Sequence, residues 1–104
     1  MDRLVINLQD IAGIGANTVI SQKSYLCAST HDYTKQDFPL ILKPIKIGNG
    51  VWVAADAFIG PGVFIEDNAV IAARSVVIKN VEANAIMGGN PAKFIKQNYK
   101  NDKQ

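Results

Sequence analysis

From Ile47 onward every sixth residue is a branched aliphatic: Ile47, Val53, Ile59, Ile65, Ile71 and Val77. Ile, Leu and Val supply 27 of the 104 residues, so a run of six at one spacing arises by chance roughly 3 times in 10,000. Stepping by six upstream picks out Leu8, Ile14, Ile20 and Leu26, three residues out of phase with the later series. Two further columns keep the period. A small or β-branched residue stands four places after each aliphatic: Ala12, Thr18, Ser24, Thr30, then Val51, Ala57, Val63, Ala69, Ser75 and Val81. Three places after it come Asn17, Gly50, Asp56, Gly62, Asn68 and Asn80, residue types that tolerate the left-handed backbone of a sharp turn.

Each hexapeptide therefore reads as a short strand and a corner, with the aliphatic side chain inward. Three such units make a triangular coil of about eighteen residues, and stacked coils pair their strands in parallel. An antiparallel β-sandwich would space its strands irregularly, by about 8–12 residues, rather than by a constant six. The expectation is all-β: a single-stranded parallel β-helix over residues 1–90. Periodicity leaves the hand of the helix open, and the usual crossover rule favours the right hand.

The repeat fails from Asp32 to about Leu40, an excursion of the kind in which a rigid solenoid carries binding groups. His31, the only histidine, stands at its mouth. Tyr33, Phe38 and Pro39 read as packing that holds the excursion. After Val81 the pattern dissolves. Asn90 followed by Pro91 matches a helix N-cap and first-turn proline, so a short capping helix is expected over residues 91–99, with Phe94 and Ile95 as a lid and residues 100–104 as a tail.

Composition narrows the class. A single cysteine, Cys27, excludes an internal disulfide framework and fits a reducing cytoplasm. No run approaches the roughly 18 apolar residues of a membrane span, and the N-terminus lacks a signal peptide's order. The net charge of +2 comes from dispersed lysines, without the basic stripe and aromatics of a nucleic-acid surface. A zinc site needing three histidines is excluded by the one present.

Six segments carry a resemblance: Ile14-Gly-Ala-Asn-Thr-Val, Ser29-Thr-His-Asp-Tyr, Ile47-Gly-Asn-Gly-Val-Trp-Val-Ala-Ala, Ile59-Gly-Pro-Gly-Val, Ala72-Ala-Arg-Ser-Val-Val-Ile-Lys-Asn and Gly88-Gly-Asn-Pro-Ala-Lys. Together they make the chain similar to the hexapeptide-repeat O-acetyltransferases, of the colanic-acid-biosynthesis and the maltose and galactoside types. The resemblance implies a left-handed β-helix and a homotrimer with its sites in the crevices between chains. It also implies acetyl transfer from acetyl-CoA to a hydroxyl of a sugar or polysaccharide precursor, without a metal. By the same resemblance His31 is the catalytic histidine, a neutral imidazole that takes the hydroxyl proton. A backbone N–H at Ala54-Ala55 would steady the oxyanion. Trp52, Ala54, Ala55, Ala73, Lys79 and Lys93 match positions that contact the coenzyme. Three departures stand out: Arg74 on a turn, Ile78 in place of a hydroxyl, and the absence of the usual N-terminal coils. They keep open the alternative of a non-catalytic β-helix remnant or scaffold.

Overall fold

The computed structural model describes residues 5–6, 11–27, 29–31, 34–37 and 40–98. The first seven strands are β1 (Val5–Ile6), β2 (Ile11–Ile14), β3 (Val19–Ile20), β4 (Tyr25–Leu26), β5 (Ser29–His31), β6 (Leu40–Leu42) and β7 (Ile45–Ile47). The next seven are β8 (Trp52–Val53), β9 (Phe58–Ile59), β10 (Phe64–Ile65), β11 (Val70–Ile71), β12 (Val76–Val77), β13 (Ala85–Gly88) and β14 (Lys93–Gln97). Three sheets form the faces of a prism: β1-β4-β9-β12, then β2-β7-β10, then β3-β8-β11-β13-β14. The chain visits the second, third and first face in turn and begins again. All pairings between successive coils are parallel. This is the left-handed parallel β-helix of the hexapeptide repeat.

The repeat works through alternation. In each two-residue strand the first side chain faces outward and the second faces the axis. Ile47, Val53, Ile59, Ile65, Ile71 and Val77 are all at most 2% exposed. Each contributes about 1.5–3 kcal/mol by leaving water. The small column is buried too: Val51, Ala57, Val63, Ala69, Ser75 and Val81 line the axis between the aliphatics. Two columns per face thus fill the core, and the corners carry the rest.

Corner geometry follows the third column closely. Asn17, Gly50, Asp56, Gly62 and Asn68 adopt positive φ as the residue types suggest. Asn80 does not; its Oδ1 instead accepts the N–H of Phe64 at 2.8 Å, tying one coil to the previous one. Lys23, Arg74 and Asn84 take the left-handed conformation at the corresponding places in their own coils.

Two lengths describe the winding. Val70 pairs with Trp52 and Val76 with Phe58, an 18-residue coil. Tyr25 pairs with Phe58 and Ile14 with Ile47, a coil of 33 residues. The extra 15 residues leave a remainder of three against a period of six, which is the phase shift seen in the sequence. They form an antiparallel hairpin, β5 against β6, with His31 opposite Leu40. Residues Asp32, Tyr33, Phe38 and Pro39 lie outside the described residues, as does Leu8.

The capping helix is not formed. Asn90-Pro91 sits in a turn with a cis peptide bond, and Lys93–Gln97 returns as β14, antiparallel to β13. Asn-Pro is a turn signal as well as a helix start, and β13 leaves a sheet edge whose N–H and C=O groups need partners. Pairing wins because β14 supplies them, while Ile95, at the β-bulge, packs over Gly88. Phe94 lines a cavity of about 270 Å³ with Val81, Ala85 and Met87 at the end of the core. The cap is a strand. Tyr99 and the tail from 100 to 104 lie outside the described residues, and among those described no helix is long and apolar enough to cross a membrane.

Candidate active site

Four of the predicted coenzyme contacts gather at the edge where the third face turns into the first. Trp52 opens β8 with its ring 52% exposed, and its indole Nε1–H donates to Ser21 Oγ at 3.1 Å. Ala54 and Ala55 form the corner after β8, and Ala73 occupies the same place one coil on, beside Ala55. The corner is rigid because its carbonyls are committed. Ser24 Oγ donates to Ala54 O at 3.0 Å, Arg74 N–H donates to Ala55 O at 3.0 Å, and Ser75 Oγ donates to Ala72 O at 2.7 Å. Ser24 and Ser75 are fully buried beneath it, so hydroxyls inside the core hold the surface backbone still.

Methyl side chains leave this corner low, so an extended arm could lie against the main chain. Of the two N–H groups expected to face an oxyanion, that of Ala54 is taken by Ile71 O at 2.9 Å. Ala55 N–H has no backbone acceptor among the described residues, which makes it the better donor of the pair.

The remaining predicted residues lie at the opposite edge of the first face, where it turns into the second. Cys27 N–H donates to Ile59 O at 2.9 Å, and immediately beyond it the chain leaves the coil as the hairpin that bears His31. Further along the same edge, Lys79 and Lys93 border one groove of about 300 Å³ with Val77, Ile78, Met87, Pro91 and Ala92. An apolar floor flanked by two ammonium groups suits a molecule with a flat ring and phosphates.

One chain therefore carries two half-sites on either side of the first face. Between them runs an outward ladder of Tyr25, Phe58 and Val76; the two rings meet edge to face at 5.5 Å and 74°.

Residues 44–79 match the bacterial transferase hexapeptide model, described as six repeats. The chain is 50% identical over 84 residues to the proposed colanic acid biosynthesis acetyltransferase WcaF of Escherichia coli K12, covering 81% of this chain and 46% of the relative. The chain belongs to the hexapeptide-repeat transferase family.

Two solved structures of hexapeptide-repeat acetyltransferases share its fold. One is VCA0836 of Vibrio cholerae O1 biovar eltor, complexed with acetyl-coenzyme A. It superposes with a TM-score of 0.78 and 32% identity over 84% of this chain and 49% of that one. A galactoside acetyltransferase in complex with coenzyme A gives a TM-score of 0.76 and 32% identity over 86% and 50% of the two chains. This chain spans about half the length of the curated relatives it matches.

Reading residues for the hexapeptide motif misses Ser21, which holds the Trp52 indole. Its signal is a spacing: Ser21 and Ala54 are 33 residues apart, equivalent places in adjacent coils, and that length is visible only once the hairpin is counted as part of a coil.

Proposed function

We propose that this chain is the coenzyme-binding β-helix of an O-acetyltransferase that moves acetyl from acetyl-CoA to a hydroxyl of a sugar or polysaccharide precursor, acting as a homotrimer in the cytoplasm. The observation that carries the reading is the division of the candidate site between the two edges of the first face. His31, Lys79 and Lys93 belong to one edge; Trp52, Ala54, Ala55 and Ala73 belong to the other. Two chains side by side would bring one edge of each together, and the half-exposed ladder of Tyr25 and Phe58 is apolar surface that a neighbour would cover.

In such a crevice the pantetheine arm lies along Ala54, Ala55 and Ala73, with Trp52 beside it and Lys79 and Lys93 meeting phosphates. His31 takes the proton of the acceptor hydroxyl as its oxygen attacks the thioester carbonyl carbon. The N–H of Ala55 donates to the resulting oxyanion. As the C–S bond breaks, the imidazolium returns the proton to the departing thiolate, so acetyl ester and free thiol leave a neutral histidine.

The test is release of CoA thiol by the purified oligomer with acetyl-CoA and a panel of saccharides, in parallel with His31→Ala. Transfer that disappears in the variant while acetyl-CoA binding persists supports the reading; transfer that survives there removes His31 from the mechanism. A folded oligomer that binds no acetyl-CoA favours the scaffold alternative, for which the chain's half-length match to its relatives is the motive.

A further inference from the structure

Nine described residues have positive φ. Three are glycine and four are Asn or Asp, the residues that enter the left-handed region at least cost. The other two are Lys23 and Arg74, long side chains for which this backbone is unfavourable. Both stand on the edge between the third and first faces, in the same column as Asp56. Asp56 N–H donates to Gln22 O at 3.2 Å and Arg74 N–H donates to Ala55 O at 3.0 Å, so the three corners stack directly. Adjacent coils are about 4.8 Å apart, and the column reads cation, carboxylate, cation.

The ion pair within it does not account for the cations. Arg74 Nε lies 3.7 Å from Asp56 Oδ2, by one nitrogen rather than the fork, with the side chains 85% and 56% exposed. Water screens such a pair to little net value. A glycine or asparagine at 23 and 74 would build the corner more cheaply, and a sequence that departs from a local rule without structural gain does so at functional places. The place is specific: each cation directly follows Gln22 or Ala73, and Ala73 and Ala55 are the low surface assigned above to the pantetheine arm.

We infer that Lys23 and Arg74 form an anion site for the phosphate groups of the thioester substrate, with Asp56 holding the Arg74 guanidinium until the ligand arrives. This rests on the acetyl-CoA reading and extends it to a second cationic cluster, on the opposite edge from Lys79 and Lys93. It assigns Arg74 to binding rather than to obstruction of the crevice.

Calorimetric titration of the full-length oligomer tests it with two ligands, acetyl-CoA and the phosphate-free S-acetylpantetheine, against wild type, Arg74→Gln and Asp56→Asn. Loss of one charge-assisted contact predicts that Arg74→Gln binds acetyl-CoA about tenfold more weakly. Its affinity for S-acetylpantetheine stays at the wild-type value, and Asp56→Asn, which frees the guanidinium, binds acetyl-CoA more tightly. Equal or tighter acetyl-CoA binding by Arg74→Gln overturns the inference, as does an equal loss for both ligands. Wild type that binds neither ligand instead overturns the acetyl-CoA reading beneath it. All three proteins should share one circular dichroism spectrum and one solution mass, because the substituted side chains project from the surface.

Discussion

The Oδ1 of Asn49 occupies the space that a β-carbon on Gly15 would fill, while accepting the N–H of Ala16 at 2.9 Å. The same β-carbon would stand 2.6 Å from the carbonyl carbon of Gly48, which is backbone and unable to rotate away. Gly15→Ala should therefore cost about 1–3 kcal/mol, the range for overpacking a filled site. Urea unfolding checks it against Gly13→Ala, where nothing lies within 4 Å of the added carbon. The control should be unchanged or slightly more stable.

Ile65 is fully buried, whereas Val19, an aliphatic of the same repeat on the outer surface, is 57% exposed. Ile65→Ala should lose about 2–5 kcal/mol through lost burial and a cavity that stacked coils cannot close. Val19→Ala should stay within about 0.5 kcal/mol of wild type. Thermal denaturation of the two variants side by side measures the difference.

Trp52 is the only tryptophan, so intrinsic fluorescence reports on one place. Its indole is tethered to Ser21, and Ser21→Ala should shift the emission of the free protein without moving the unfolding midpoint. Acetyl-CoA should change the wild-type emission if the ring lies beside the bound arm. Unchanged emission at concentrations that saturate binding by calorimetry would place the ring elsewhere.

Lys79 and Lys93 border one groove, and their combined replacement by alanine should weaken acetyl-CoA by about tenfold or more, since each ammonium contributes a charge-assisted contact. The dependence of affinity on salt should flatten in the double variant. An unchanged affinity would return both lysines to the role of solubilising charges.

The β-helix was legible because its signal is repeated: a side chain that must point at the axis recurs every six residues, and errors at single positions such as Asn80 do not disturb the count. The hairpin was legible in part. Its length modulo six appears as the displacement between Leu26 and Ile47, but its antiparallel pairing of Ser29–His31 with Leu40–Leu42 depends on contacts that no period encodes. The C-terminal cap was misread for a related reason. Asn90-Pro91 starts helices and turns alike, and what decides between them is the unpaired edge of β13, a feature of the assembled sheet rather than of the local residues. The coenzyme contacts were legible only as a motif. That they fall on two edges of one face follows from winding, which brings Ala55 beside Ala73 and sends Lys79 to the far edge.

The 33-residue coil closes on its neighbour as well as the 18-residue coils do: β7 pairs with β2, and β8 with β3, with the hairpin set outside the winding. Strands in such a stack find one another by position in space, not by count along the chain. The junction between Cys27 and Ile45 is thus a point where length is free, and a hairpin of another size could be exchanged there while every downstream coil kept its seat. The frame and the guest it recognises can change independently.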